Sequence, residues 1–329
     1  MGKKNGDITS MQEIDVIEEY QKYFSDRKQF SFPLRVTVEL TNHCNLDCPI
    51  CPRQYLVKRP DYKEGFMDKE LYQKIIDEMA EYPNVALVPF FRGESLLHPE
   101  FIKMLAYAKE KGIKPIQLAT NATLLNEKTS RNLLDLEIDF ISFSLDASGK
   151  ESYEKIRVGA NYEKVMENIE NFLVEKQERG LKRPAVQVSV VKTEATKEKI
   201  PRFISFWLKK VERVRVYEEH STNRKFGSLK NSPDLKEERK PCLKPLSDIV
   251  IYWDGDVALC NHDWNRKEPF GNIRKESIRN VWNGKNYNEI RKRQFENRAE
   301  EDPTCKGCDH WRLYYLPKRM IGELHTKND

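Results

Sequence analysis

From residue 34 onward, apolar and polar positions alternate in a regular rhythm. Short runs rich in β-branched and apolar residues fall at 34–40, 85–91, 116–120, 140–145, 185–191 and 214–217, the composition expected of strands. Between them lie segments with helical spacing, such as Leu71, Ile75, Met79 and Phe101, Met104, Leu105, Ala108. Leu118 and Val188 sit in near-continuous apolar stretches, as in strands covered on both faces. Six strand–helix units in series predict an α/β fold with a parallel sheet, either a partial barrel or a doubly wound sheet. No Gly-x-Gly-x-x-Gly turn follows the first run and no Gly-x4-Gly-Lys-Ser/Thr segment occurs, so a nucleotide fold lacks its phosphate loop.

The flanking regions have a different texture. Residues 1–33 are polar with one weak helical stretch (Ile14, Ile17, Tyr20, Phe24) and read as an extension, not a domain. Residues 221–241 are polar and include the charged run Lys236 to Lys240, the texture of a linker. Beyond them, 249–253 and 257–260 flank Asp254-Gly255-Asp256 and predict a β-hairpin, followed by a charged helix over 287–298. The predicted organisation is an extension (1–33), a barrel or sheet domain (34–220), a linker (221–241), a small C-terminal domain (242–316) and a tail (317–329).

Composition removes several classes of function. The 57 Lys and Arg exceed the 52 Asp and Glu by five in a chain that is 33% charged, well short of the footprint of a dedicated nucleic-acid binder. Arg291-Lys292-Arg293 has no regularly interleaved aromatics and reads as a solvated helix face. The longest apolar run, 85–91, is far too short for a bilayer. The start, Met1 to Gly6, lacks the apolar core of a secretion signal, and neither a myristoylation nor a prenylation motif is present. The expectation is a cytoplasmic protein with no membrane and no nucleic-acid partner.

Seven cysteines then change the picture. Cys44, Cys48 and Cys51 lie together; Cys242, Cys260, Cys305 and Cys308 occupy the last part of the chain. Such spacing in a chain without a secretory signal reads as metal or cluster ligation, not a disulfide framework. Four thiolates fully ligate a centre, whereas three leave one position open. Cys44-Asn45-Leu46-Asp47-Cys48-Pro49-Ile50-Cys51 directly follows the first predicted strand, where parallel α/β folds carry ligands, and Pro49 and Pro52 prevent a continuing helix. Three cysteines with His43 also suit a zinc site.

The Cys-x3-Cys-x2-Cys loop after a first strand resembles the radical S-adenosylmethionine (radical SAM) superfamily. Phe91-Arg92-Gly93-Glu94 resembles that family's Gly-Gly-Glu segment, with Arg92 in place of the first glycine. Leu96-Leu97-His98-Pro99, Thr120 to Leu125, and Ser144-Leu145-Asp146 followed by Arg157 match further family segments. The resemblance implies a partial (β/α)6 TIM-like barrel. It also implies a [4Fe-4S] cluster on Cys44, Cys48 and Cys51, whose open iron chelates S-adenosylmethionine and cleaves it to a 5′-deoxyadenosyl radical that abstracts a substrate hydrogen. By the same resemblance Gly93 and Glu94 bind the methionine amino group, Arg157 its carboxylate, Ser144 and Asp146 the cofactor's polar groups, and the Ile50 backbone the adenine.

Cys242, Gly255 and Cys260 match the opening of the cluster-binding extension called SPASM. With four cysteines and Tyr314 near a further ligand position, the extension resembles the truncated twitch form: a small hairpin-plus-helix domain holding one auxiliary [4Fe-4S] cluster on Cys242, Cys260, Cys305 and Cys308. A four-cysteine zinc ribbon is the alternative, although Cys242 and Cys260 are far apart for one. His262 and His310 stand beside these ligands. A fully ligated second cluster suits electron transfer, so the expected reaction is a two-electron oxidation of a sugar or cyclitol-like small molecule, fed by a flavodoxin or ferredoxin. The short N-terminal extension tilts the reading away from a peptide substrate. Peptide modification and a non-catalytic zinc protein are the alternatives. Three plus four uses every cysteine, so epimerisation needs another hydrogen donor, such as Tyr314 or Tyr315. Glu218, Glu219 and His220 are candidate bases, none of them assigned.

Overall fold

The computed structural model describes residues 31–146, 149–219, 238–264, 268–315 and 322–327. Six parallel strands appear in chain order: β1 (Arg35–Val38), β2 (Ala86–Val88), β3 (Gln117–Thr120), β4 (Phe140–Ser144), β5 (Ala185–Lys192) and β6 (Arg213–Glu218). All six fall within the predicted runs or within a residue or two of them. A parallel bridge, Leu87↔Ile116, joins β2 to β3, so the strands form one curved wall with helices outside. The six-strand α/β partial barrel is therefore present.

Alternation along the strands decides which face is which. On β4 to β6, Ile141, Phe143, Val186, Val188, Val190, Val214 and Val216 all join the core beneath the helices. Their neighbours Ser142, Ser144, Gln187, Ser189, Arg213 and Arg215 take the concave face, where register pairs Ser142 with Gln187 and Ser189 with Arg215. The Gln187 amide donates to Ser142 Oγ at 3.0 Å. The barrel interior on this side is a polar surface.

The outer helices include α1 (Lys69–Ala80), α2 (Phe101–Glu110), α3 (Glu127–Asp135), α4 (Lys150–Ile156), α5 (Tyr162–Glu178) and α6 (Ile200–Trp207). Asp68, Asn126 and Asn161 cap α1, α3 and α5 by accepting from Leu71, Thr129 and Lys164 backbone N–H groups, which satisfies donors that the first turn leaves free. The apolar stripe of α1, with Leu71, Ile75 and Met79, is buried against the sheet.

The C-terminal region extends the same wall. β7 (Asp248–Ile251) and β8 (Val257–Ala258) form the predicted antiparallel hairpin, shorter than its sequence pattern. Gly255 holds its turn at φ +95°, a conformation that favours glycine. β7 pairs in parallel with β1, and Ile249 and Ile251 share one core with Val36 and Val38. α7 (Ile278–Trp282) and α8 (Lys285–Phe295) follow. One element has no counterpart in the sequence pattern: β9 (Gly322–Thr326), antiparallel to β6. Gly-Glu-Leu-His-Thr has little strand character of its own, and it pairs because β6 otherwise presents an open edge. The N-terminal helical stretch and most of the 221–241 segment lie outside the described residues.

Because β7 shares its core with the barrel, Ile251→Ala is expected to cost about 2–5 kcal/mol and to shift one common unfolding transition of the anaerobically reconstituted chain in urea. A barrel transition left at its wild-type midpoint would mean that the hairpin folds independently.

Candidate functional site

The three-cysteine loop leaves β1 through Leu40 and is clamped by its own polar residues. Thr41 Oγ1 donates to the Gly65 carbonyl at 2.7 Å, and Asn42 brackets the 63–65 backbone, donating to Lys63 O and accepting from Gly65 N. Arg53, buried just after Cys51, donates to Asn42 O at 3.0 Å and ion-pairs with Glu64. From the far side, Asn45 donates to Thr123 Oγ1 at 2.8 Å and accepts from the Asn121 amide at 3.0 Å. The Asn121 and Thr123 singled out in the sequence therefore hold the cysteine loop.

Within this clamp the three thiols share one neighbourhood. Cys48 acts electrostatically on Cys44, and both act on Cys51. Burial pushes all three thiols up, Cys51 to about 11; binding to a metal centre reverses that preference by deprotonating a thiol outright. Arg157 opposes the burial effect at Cys48, its Nη1 lying 3.8 Å from the sulfur. His43 turns away, stacking on Phe66 with ring centroids 4.6 Å apart and placing Nδ1 3.5 Å from Glu64. It does not complete a four-ligand set with the thiols.

Gly93 packs flush against this loop. A Cβ there would lie 2.4 Å from the Thr41 carbonyl oxygen and 2.5 Å from that of His43, contacts that only glycine avoids. Glu94 N then donates to His43 O at 2.8 Å. The buried Glu94 carboxylate accepts from Thr120 Oγ1 at 2.9 Å, Asn121 N at 2.8 Å and Leu96 N at 3.2 Å. A carboxylate offers about four lone-pair sites, so about one remains for a ligand. Burial raises the Glu94 pKa against these hydrogen bonds and the attraction of Arg157.

Asp146 sits at φ +59°, a left-handed conformation that aspartate tolerates better than most residues. It accepts from Val191 N at 3.0 Å and ion-pairs with Arg157. Ser144 stands on the concave face at the end of β4, and Ile50 packs at the margin of the core. Of the candidate bases, Glu218 pairs with Lys192 at 3.2 Å, Glu219 has an interaction partner, and His220 lies outside the described residues.

In the sequence Arg92 is only a departure from a motif. In the fold it makes a two-pronged pair with Glu39, at 2.6 and 2.8 Å, with both side chains at most 3% exposed. Its guanidinium lies 4.0 Å over the Tyr252 ring, and the Tyr252 hydroxyl donates to the Asp263 carbonyl. The signal in the sequence is a charge just beyond each of two strands, Glu39 after β1 and Arg92 in the loop after β2, legible only once the strands are adjacent.

The second thiol set is gathered in one cavity. Cys242, Cys260, Cys305 and Cys308 line it with Arg239, His262 and His310. The thiols act on one another electrostatically, and burial pushes Cys242 up to about 12 and the other three upward as well. None of the seven cysteines is in a disulfide. His262 and His310 share a hydrogen bond, Nε2 to Nδ1 at 2.8 Å, and so satisfy each other. The half-buried Tyr314 feels the charges of Cys242 and Cys260, whereas Tyr315 donates to Pro241 O at 2.9 Å. Both donor sets are soft and thiol-only, which fits iron–sulfur clusters. Among the described residues, no three His, Cys, Asp or Glu side chains form a group suited to a single metal ion.

The Gly93 contacts make one mutation diagnostic. Gly93→Ala is expected to displace the 41–43 backbone and to lower iron per chain after anaerobic reconstitution, with the loss confined to the three-thiol site. Unchanged iron would mean that the loop moves without cost.

Comparison with known proteins agrees with this geometry. The model of the radical SAM superfamily matches residues 38–206, and that of an iron–sulfur cluster-binding domain, SPASM, matches 242–309. The cofactor-modifying protein of the tungsten-containing aldehyde ferredoxin oxidoreductase from Pyrococcus furiosus is 26% identical over 317 residues, covering 82% of this chain and 86% of its own. The S-adenosyl-L-methionine-dependent 2-deoxy-scyllo-inosamine dehydrogenase of Niallia circulans is 23% identical, covering 84% and 92%. The fold is also similar to Streptococcus suis SuiB bound to its precursor peptide, with TM-score 0.64 and 15% identity over 88% of this chain and 75% of that one. No helix among the described residues is long and apolar enough to cross a membrane. The two matched domains bring a SAM-binding and an auxiliary [4Fe-4S] cluster, and this chain belongs to the radical SAM superfamily.

Proposed function

We propose that this chain oxidises a polar small molecule of sugar or cyclitol type, removing a hydrogen atom, a proton and an electron. The observation that carries the reading is the four-thiol cavity: four thiolates leave no iron open for substrate, so the centre they hold is suited to accepting an electron. When bound, the two clusters supply the electron that splits S-adenosylmethionine into its 5′-deoxyadenosyl radical and a station for the electron leaving the substrate. The dehydrogenase relative named above supports this reaction type.

The roles of the chain's residues follow from their surroundings. Cys44, Cys48 and Cys51 hold the SAM-binding cluster; Cys242, Cys260, Cys305 and Cys308 hold the auxiliary one. Glu94 keeps about one lone-pair site for the methionine ammonium, a charge-assisted contact. Arg157 faces the methionine carboxylate from its anchorage on Asp146. Gly93 brings the Glu94 segment against the cysteine loop, Ser144 offers a hydroxyl at the chamber, and the Ile50 backbone meets adenine. The polar concave row of Ser142, Gln187, Ser189 and Arg215 suits a hydroxyl-rich substrate. The barrel spans 34–220 and the auxiliary domain 242–316. A flavodoxin or ferredoxin in a reducing cytoplasm is the electron donor.

Glu94→Gln removes the ammonium's charge partner and turns an amide donor toward groups that already donate. S-adenosylmethionine binding to the reconstituted chain should weaken about 10–100-fold, with iron content unchanged; an unchanged Kd would leave Glu94 a structural tether only. The same contact sets a pH dependence. The carboxylate must be ionised to hold the ammonium and its pKa is raised. Affinity should therefore fall on acidification at a pH above the ordinary carboxylate range, while Glu94→Gln should not show that fall.

The reaction is tested with sugars and cyclitols deuterated at carbinol carbons. Deuterium should appear in 5′-deoxyadenosine, with a product two hydrogens lighter, and Cys242→Ala should abolish that product while 5′-deoxyadenosine still forms. Turnover only with peptides would replace the substrate class, and zinc in place of the second cluster's iron would remove the electron acceptor.

A further inference from the structure

The four-thiol cavity carries two side chains whose chemistry the ligand count does not use. Gln294, 3% exposed, bridges two of the cysteines: its Oε1 accepts from Cys242 N at 3.0 Å and its Nε2 points at Cys305 Sγ, 3.6 Å away. The orientation of this amide is decided by its partners. The Cys242 N–H demands an oxygen, so the NH2 must face the sulfur.

Arg239 approaches the same cavity from the other side. Its Nη1 donates to the carbonyls of Cys305 at 3.0 Å and Cys308 at 3.4 Å, and it ion-pairs with Glu300. Its Nε is buried with no hydrogen-bond partner, an arrangement that is unfavourable in bare protein. The Arg239 side chain is 13% exposed and that of Glu300 is 53% exposed. Water therefore screens the anion more than the cation, and at Cys308 the Arg239 charge acts ahead of those of Asp309 and Glu300. The nearby Lys244 pairs with Asp248 at 2.5 Å. At Cys305 the Asp302 carboxylate, whose Oδ1 accepts from Thr304 N and Cys305 N, opposes Arg239 and acts ahead of it.

We propose that Arg239 and Gln294 are positioning residues that donate to the sulfurs of the auxiliary cluster and raise its reduction potential. The inference rests on the reading above that the four thiols hold a cluster. Reduction adds one negative charge to the centre, and a buried cation with an N–H···S donor stabilises the reduced form more than the oxidised one. The orphaned Arg239 Nε gains an acceptor in the same event. The pair thus makes the centre a better acceptor for an electron leaving the substrate.

The test uses the full chain, reconstituted anaerobically, with spectroscopic redox titration of each cluster. Gln294→Glu keeps the acceptor for Cys242 N and replaces the donor by a carboxylate; Arg239→Lys keeps the charge and removes Nε, and Arg239→Gln removes both. At a fixed applied potential, Gln294→Glu and Arg239→Gln should each lower the reduced-to-oxidised ratio of the auxiliary cluster about tenfold, which is about 59 mV for one electron. Arg239→Lys should fall between Arg239→Gln and wild type, and the SAM-binding cluster should not move. Equal potentials in variants with wild-type iron content would overturn the proposal. One measurement needs no variant: with arginine 15N-labelled, pulsed EPR of the reduced cluster whose signal S-adenosylmethionine leaves unchanged should detect a coupled nitrogen. No arginine coupling there would sink the Arg239 assignment whether or not the variants fold. About four irons per chain in the wild type, with zinc in the second site, would instead overturn the cluster reading beneath it.

Discussion

The Glu39–Arg92 pair is the joint on which both thiol sites depend. Glu39 stands at the end of β1, directly before the cysteine loop; Arg92 stands in the loop that follows β2, directly before Gly93 and Glu94. Above Arg92 lies Tyr252, whose hydroxyl reaches the loop carrying Cys260. Two charges this deeply buried are tolerated only together, since removing either leaves the other unpaired at a cost of about 3–5 kcal/mol. The pair therefore fixes the relative position of three segments that meet nowhere else in sequence. An arginine in place of a small motif residue becomes intelligible: this chain uses that position to bind its barrel to its C-terminal hairpin.

Each thiol set has its own arginine. Arg157 lies beside Cys48, held by Asp146, and Arg239 lies beside the four-thiol cavity, held by Glu300 and two carbonyls. Gathering several thiolates in a desolvated space is unfavourable for bare protein, as the upward shift of every cysteine indicates. A neighbouring cation offsets part of that repulsion. The sites differ in what completes them. Three thiolates beside the partly unspent Glu94 carboxylate leave room for a charged cofactor, whereas four thiolates leave room for electrons.

Sheet continuity explains how the sites come to share one body. β7 adds to β1 as a further parallel strand and β9 closes onto β6, so the C-terminal region covers both edges of the barrel wall. The concave face between those edges is polar on β4 to β6, opposite a buried apolar face under the helices.

The six barrel strands were legible in the chain because period-2 apolar runs alternating with helical spacing are local properties, and the hairpin at Gly255 was legible because a turn needs a residue that tolerates positive φ. The grouping of the cysteines and the Gly-Glu segment were legible as well, since residues on one loop are close in sequence. The sequence did not disclose β9, whose five residues become a strand only because an open edge awaits them. It did not disclose that Gly93 is required by the backbone of the loop at 41–43, that Asn121 and Thr123 grip Asn45, or that Arg92 meets Glu39. Nor did it show which side chains turn toward the thiols: Gln294 and Arg239 are ordinary polar residues until folding removes water around them. Local periodicity and ligand spacing belong to the chain. The partners of buried charges and the packing of one backbone on another belong to the tertiary structure, because they join residues tens to hundreds of positions apart and acquire their energy only where solvent has been excluded.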